Sequence, residues 1–554
     1  MTQSDGEVDR SPRSGTDVCI IGAGVAGALV AHSLARRGYD VVVLEAGPRF
    51  EFDSRRERME QALRPEFNRL KVWDMGGQRD RHSSSGDVDY ALNKKRVKGV
   101  GGTTLHWLGT TPRLHEEDFE MHSRYGVASD WPISYEDLRP YYAAAEAELG
   151  VAGAPDNPFA PPREADYPME AFPPSRSDSL YAEACEELDI AVHSVPQARN
   201  SGPYDGRSQC LGYSTCIPVC PSGAKYSGDV HIEKAEAEGA TVIDRVPVQS
   251  LDHGPDGDRV RSVVYVTPSG DEYRQEARLF VVACGGVETP RLLLLSRSDE
   301  YPDGLANTSG LVGAYFTEHP VVEATAEVTE TTNRNPVGFY TSASQEFYRQ
   351  DDQPPGSIYL QFENIDPESP LDAGIEGGDT DPRQNKLDPF QGDEWGDALQ
   401  DSMARDPEKN RVAIDAICEM LPRKSNRVTL DPTKTDEHGN PVPDVSFGLS
   451  EFEHTTLRRA LDIQTTILET MGATNIQHDD ASDPVYASHH MGTTRMGTDP
   501  QESVVTPNLR THDLDNLFIT SSSVFVTSGA VNPTLTIAAL SLRLADHIHE
   551  RFGE

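Results

Sequence analysis

No run of apolar residues in this sequence is long enough to cross a bilayer, and the opening Met1 to Gly15 has neither the apolar core of a secretory signal nor a twin-arginine pattern. The chain therefore reads as soluble and, taken alone, cytoplasmic. Lysine is scarce, with ten residues against forty arginines. Basic residues altogether are outnumbered 50 to 90 by aspartate and glutamate, for a formal net charge of -40. The acids are spread along the whole chain. So little positive charge leaves no footprint for a phosphate backbone, which argues against nucleic acid as a partner. A dispersed acidic surface poor in lysine is the pattern of a protein adapted to high salt. Cysteine is sparse too, at seven in 554 residues. Cys19, Cys185, Cys284 and Cys418 stand alone, while Cys210, Cys216 and Cys220 fall close together. An odd total with one tight cluster suits a metal site in a reducing compartment better than a disulfide framework.

What is present begins at the N-terminus. The apolar run Val18-Cys19-Ile20-Ile21 leads into Gly22-x-Gly24-x-x-Gly27, a helical stretch follows, and a second apolar run ends in Glu45. Strand, glycines, helix and acid in this order make a nucleotide-binding βαβ unit. The glycines let the backbone approach a pyrophosphate at the helix N-terminus, and Glu45 stands where a carboxylate can accept hydrogen bonds from an adenosine ribose. By itself the unit leaves FAD and NAD both open. Further along, Gly101-Gly102-Thr103-Thr104-Leu105-His106-Trp107 places glycines and hydroxyls in a loop suited to wrapping a ligand.

The pattern predicts a helix from about Trp131 to Gly150 with Ser134 as N-cap and Asp137 three residues on, and another over Asp178 to Leu188. Strands are expected at Val260 to Val266 and Leu279 to Cys284, the latter opening into Gly285-Gly286 and a helix. A helix over Glu451 to Met471, a strand over Asn516 to Thr520 and a helix over Thr534 to Arg551 complete the chain. The fold class is α/β: a Rossmann-like nucleotide domain plus a sheet-based α+β substrate domain, both discontinuous in sequence. The first takes 14–130, 200–320 and 481–554. The second takes 131–199 and 321–480, with an acidic, proline-rich insertion near 350–406.

Three sites carry chemistry, of which the third, His106 in the 101–107 loop, stacks on or links to a cofactor or caps a turn, and the residues alone favour the cap. Cys210-x5-Cys216-x3-Cys220-Pro221 offers three soft thiolates that can wrap one face of a small iron-sulfur cluster, and three ligands favour 3Fe-4S over 4Fe-4S. A zinc site completed by histidine, or a disulfide plus a free thiol, remain open on spacing alone. The second is Ser488-His489-His490 with Asn532-Pro533. A histidine can take the proton of a substrate hydroxyl while an amide holds the oxygen.

With these residues laid out, the chain resembles the glucose-methanol-choline (GMC) family of FAD oxidoreductases along nearly its whole length. The resemblance rests on the fingerprint ending Leu44-Glu45-Ala46-Gly47, on Gly101-Gly102-Thr103-Thr104 and on Gly286-Val287-Glu288-Thr289-Pro290-Arg291. It continues through Thr317-Glu318-His319-Pro320 to His489-x-x-Gly492-Thr493 and Asn532-Pro533. It implies FAD held by Gly22, Gly24, Gly27, Glu45, Gly101, Gly102, Thr103, Ser521 and Ser522, with His489 as catalytic base, Asn532 as its partner and His490 as the other candidate for the base. Ser521 is a departure: it stands where many members carry an aspartate near the flavin phosphates. The cysteine segment is similar to that of bacterial FAD-dependent sugar and sugar-acid dehydrogenase subunits. This implies a 3Fe-4S cluster on Cys210, Cys216 and Cys220, a small partner subunit, an electron-accepting protein, and export with that partner to a membrane as the alternative to a cytoplasmic location. His106 is similar to the residue through which some members bind flavin covalently.

The expected activity is oxidation of a CH-OH group of a sugar, sugar acid or polyol. Two rivals are a family member acting on simple alcohols or choline-like substrates without a cluster, and a non-catalytic flavin electron carrier.

Overall fold

The computed structural model describes residues 9–50, 58–59, 80–92, 95–213, 216–217, 219–330, 332, 338–348, 356–364 and 410–553. At its centre lies a parallel five-stranded sheet. Its strands are β1 (Val18–Ile21), β2 (Val41–Leu44), β3 (Thr241–Ile243), β4 (Leu279–Val282) and β5 (Leu517–Ile519), in the order β5-β4-β1-β2-β3. Val18 pairs with Val41 on one side and with Leu279 on the other. Every residue of β1, β2, β4 and β5 is buried, which explains why these strands read as unbroken apolar runs instead of alternating ones.

The helices follow from local signals. All of α1 (Val25–Ala35) is buried. In α2 (Tyr135–Leu149) the Ser134 hydroxyl accepts from the Asp137 N–H, and the Asp137 carboxylate accepts from the Ser134 N–H. The helix ends at Gly150 with φ 69°. Then come α3 (Asp229–Ala237), α4 (Gly285–Leu295), which leaves β4 directly, α5 (Glu451–Thr470) and α6 (Thr534–Phe552). Helix α1 packs against α3 and α6, and α6 against α2, where the hydroxyls of Tyr142 and Thr536 share a 2.8 Å hydrogen bond. The helix expected from Asp178 starts two residues earlier, at Arg176, because Ser175 and Asp178 form a second capping box.

A second, antiparallel sheet of seven strands is built from segments far apart in sequence. In order they are 474–478, 320–327, 411–418, 358–363, 340–344 and 193–194, with 485–486 also paired to 320–327. One face is covered by α5, whose Leu457, Ala460, Ile467 and Leu468 are buried. From the same helix, the Gln464 side-chain amide donates to the carbonyls of Val322 (2.9 Å) and Ile414 (2.7 Å), so that one helix residue ties two neighbouring strands. The acidic insertion expected near 350–406 gives way at 358–363 to a buried strand of this sheet. The rest of that expectation, 350–355 and 365–406, lies outside the described residues. No helix among the described residues is long and apolar enough to cross a membrane.

Beyond the seven-stranded sheet, where Pro320 lies opposite Tyr486, Thr317 and Met491 form a further antiparallel bridge, so 317–319 and 488–491 run side by side.

Candidate active site

The site is one continuous cleft, lined by Gly22, Gly24 and Glu45, by Gly102 and Thr103, and by His489, His490, Ser521 and Ser522. Gly22 has φ +104°, and a Cβ there would lie 2.6 Å from the Ala283 carbonyl oxygen. At Gly27 a Cβ would lie 2.0 Å from the Gly22 oxygen. Only glycine therefore lets β1 turn beneath the end of β4 and lets α1 start flush against the turn. The Glu45 carboxylate accepts the N–H of Ala23 (2.8 Å) through one oxygen and that of Gly47 (2.8 Å) through the other. It holds two turns of the cleft wall together while still lining the cleft. The 101–106 loop lies over this turn. The Thr104 hydroxyl donates to the Gly101 carbonyl (2.5 Å) and accepts from the Gly228 N–H (2.8 Å). The N-terminus of the long helix α6 opens on the same cleft through Pro533 and Thr534. Arg96, also in the wall, is ion-paired with Glu288 at 2.6 Å, but its buried Nε and Nη2 have no hydrogen-bond partner among the described residues.

In another part of the cleft three histidine-bearing contacts fix the state of one ring. His319 Nε2 lies 2.9 Å from the Gly529 carbonyl, which can only accept, so His319 carries its proton on Nε2 and presents a lone pair at Nδ1. His489 Nδ1 lies 2.8 Å from that lone pair and must donate to it. His489 Nε2 is then the unprotonated nitrogen, and the Asn532 side-chain amide reaches it at 3.3 Å. The Asn532 carbonyl oxygen is buried and accepts no hydrogen bond among the described residues. Burial first, then the neighbouring His319 and His490, holds His489 well below the usual histidine range, so its ring is neutral.

Beneath these rings sits Glu318, fully buried. One carboxylate oxygen accepts the backbone N–H groups of His319 (2.9 Å) and His489 (2.5 Å), and the other accepts the Tyr90 hydroxyl. His490 Nε2 lies 2.8 Å from that hydroxyl, so its ring is turned into the Tyr90–Glu318 network and away from His489.

The cysteine loop packs behind the 101–106 loop. All seven cysteines are free, with Cys216 and Cys220 buried and Cys210 half-buried. Arg199 Nη1 approaches the Cys216 sulfur at 3.9 Å. The Lys225 ammonium donates to the carbonyls of Leu105 (3.0 Å), Trp107 (2.7 Å) and Cys216 (2.7 Å), clamping the two loops together. Burial pushes the Cys216 thiol up. Burial opposes ionisation of Cys220 as well, but the Ser222 hydroxyl, the backbone N–H groups of Lys225 and Ala224 and the Lys225 charge outweigh it and lower that thiol. His106 is buried, and the cleft is lined by Thr103, Thr104 and Trp107 around it but not by His106 itself. Burial, then Lys225, depresses its ring to about 3.

The structure thus brings together the glycine turn, Glu45, the 101–103 loop, Ser521, Ser522, His489 and His490, with Asn532 against His489. Sequence reasoning did not place Tyr90, Glu318 or His319 in the site. For Glu318 and His319 the signal was there in Thr317-Glu318-His319-Pro320, a segment of the family resemblance to which no role was given.

A family profile described as GMC oxidoreductase matches residues 422–541, and one described as FAD dependent oxidoreductase matches 17–56. The chain is 34% identical to the fructose dehydrogenase large subunit of Gluconobacter japonicus, over 96% of this chain and 97% of that protein. It is 30% identical to the 2-methyl-1,2-propanediol dehydrogenase of Mycolicibacterium austroafricanum, over 97% and 96%. Its fold is similar to that of pyridoxine 4-oxidase from Mesorbium loti, with TM-score 0.64, 18% identity, and coverage of 97% of this chain and 99% of that one.

Proposed function

Because the chain belongs to the GMC oxidoreductase family and is an FAD-dependent enzyme acting on CH-OH groups, we propose that it is a dehydrogenase of a sugar, sugar acid or polyol. Its electrons leave through an iron-sulfur cluster to a protein acceptor. The observation that carries this reading is one cleft lined both by the glycine turn and by a neutral, tautomer-fixed His489. The substrate class rests on the match to the fructose and diol dehydrogenases over nearly the full length of both chains.

The residues present fit FAD, which supplies the hydride acceptor when bound. Gly22, Gly24, Gly27 and the N-terminus of α1 form the cradle for its diphosphate. Glu45 would meet its ribose, and Gly101, Gly102, Thr103, Ser521 and Ser522 would hold the rest of it. The unbonded donors of Arg96 and the α6 N-terminus add positive character for its oxygens. A substrate hydroxyl entering between His489 and Asn532 would give its proton to His489 Nε2 while its oxygen accepts from the Asn532 amide. His490, committed to Tyr90, serves as support.

The cysteines fit a 3Fe-4S cluster, a one-electron carrier. Three thiolates are available, and the negative charge of such a group is offset by Lys225 and by Arg199, whose buried Nε and Nη2 have no hydrogen-bond partner among the described residues. Leu211 and Tyr213, exposed by 50% and 38%, lie in the same loop and form the proposed contact for the accepting protein. In this reading any attachment to a membrane runs through such a partner.

Anaerobic mixing with a panel of sugars, sugar acids and polyols should bleach the flavin absorbance. No bleaching by any of them, with reduction by simple alcohols or choline instead, would overturn the substrate class. Peroxide formed in air as fast as substrate turns over would make the enzyme an oxidase. Acid precipitation tests the covalent link expected through His106: flavin that pellets with the wild-type chain but not with His106→Ala supports it, and flavin left in the supernatant excludes it.

A further inference from the structure

A second cluster of ligating side chains lies apart from both the cleft and the cysteine loop. His32 on α1, Glu148 on α2 and His231 on α3 each direct one ligand atom into a common space, and the three atoms lie within 4.8 Å of one another. None of the three lines the cleft. Glu148 Oε2 and His231 Nε2 are 2.9 Å apart, while His231 Nδ1 is 2.9 Å from the Tyr226 hydroxyl. His32 is only 8% exposed, yet its ring makes no hydrogen bond among the described residues, only an edge contact with the His231 ring at 5.3 Å between centroids. An imidazole bonded to no protein group keeps its lone pair available to an ion that enters this space.

We propose that His32, Glu148 and His231 bind one borderline divalent transition cation of the zinc class, pinning α1, α2 and α3 to one another. Two imidazoles and one carboxylate are the donor set such cations favour, whereas magnesium and calcium select oxygen-rich sites. The fourth position is water, which reaches the site on the Glu148 side, where that side chain is 25% exposed. The neighbouring cation is already engaged: Lys234 lies 4.0 Å from Glu148 but is bonded to Asp205 at 2.7 Å.

Binding requires one rearrangement. The His231 proton moves from Nε2 to Nδ1, where the Tyr226 hydroxyl oxygen accepts it, and Nε2 is freed for the ion. Tyr226 is thus the outer partner that sets the ligand tautomer. The site bears on the cleft through α1, which begins at the glycine turn. It bears on it also through α3, because a Cβ on the preceding Gly228 would lie 3.1 Å from both the Gly101 oxygen and the Val25 nitrogen.

The test is calorimetric titration of zinc chloride into chelator-dialysed holoenzyme, with thermal unfolding followed in parallel. Wild type should take up one equivalent that His32→Gln and Glu148→Gln do not, and its unfolding temperature should rise with zinc while theirs stays still. Tyr226→Phe should keep the equivalent with affinity about 10- to 100-fold weaker. Equal stoichiometry and affinity in wild type, Glu148→Gln and Tyr226→Phe overturns the proposal even where His32→Gln fails to fold, as does the absence of any zinc uptake by the wild type.

Discussion

Replacing His489 with alanine should slow reduction of the flavin by substrate by about 10² to 10⁴, the usual contribution of a positioned general base. Flavin content should stay unchanged, because the turn proposed to hold the diphosphate, Gly22 to Gly27, is shaped by Ala283, Ile20 and its own glycines and not by His489. The comparison variant is His490→Ala. Its ring is engaged by Tyr90 at 2.8 Å, so its loss should perturb support and leave most of the rate. A near-wild-type rate in His489→Ala with collapse in His490→Ala would exchange the two roles.

The same geometry predicts a pH profile. A proton on His489 Nε2 removes the lone pair that receives the substrate proton, so activity falls as the ring protonates. Burial, then His319 and His490, holds that protonation well below the ordinary value of 6.5. The reductive rate should therefore be flat as pH is lowered through 6.5 and should drop only well under it. His319→Ala removes the acceptor that dictates the tautomer. It should lower the rate and disturb this profile together, whereas a purely structural loss would lower the fraction of active enzyme and leave the profile unchanged.

The second large effect concerns electron exit. Cys216→Ser and Cys220→Ser should each lose iron and acid-labile sulfide and bring turnover with a protein acceptor down by orders of magnitude. Substrate should still bleach the flavin at close to the wild-type rate. This separation follows from placement: the cysteines sit behind the 101–106 loop, and Lys225 is bonded to carbonyls on both loops, but none of the three cysteines lines the cleft. Unchanged iron in either variant would sink the assignment, and zinc recovered in place of iron would move the loop to the zinc reading.

What could be read from the chain beforehand was whatever neighbouring residues determine together. The strand-glycine-helix-acid order of 18–45 was legible because turn, helix start and acid all fall within one short unit. The Ser134–Asp137 cap was legible because both halves of its hydrogen bonding lie three residues apart. Glu45 was found, but the two backbone N–H groups it accepts depend on how two turns approach one another. Glu318 and His319 could not be assigned, since their role exists only once they meet residues 171 and 170 positions away. Tyr90 joins from a span whose polar character hides a residue that ends up fully enclosed. The strand at 358–363 was hidden inside acidic, proline-rich flanks, and it becomes a strand because the sheet on either side of it supplies the partners.

The order of strands in the parallel sheet also bears on how the protein is made. Strand β4 is covered on one edge by β1 and on the other only by β5, which lies near the end of the chain. Until the ribosome has released residues 517–519, Phe280, Val281 and Val282 present an unpaired apolar edge of the kind that recruits other chains. Translation therefore passes through a long interval in which the nucleotide-binding half is nearly complete but cannot be closed. A supply of FAD during synthesis cannot shorten that interval, because α6, whose N-terminus borders the cleft, arrives later still. Yields in a foreign host should depend on chaperone capacity during this interval more than on cofactor supply.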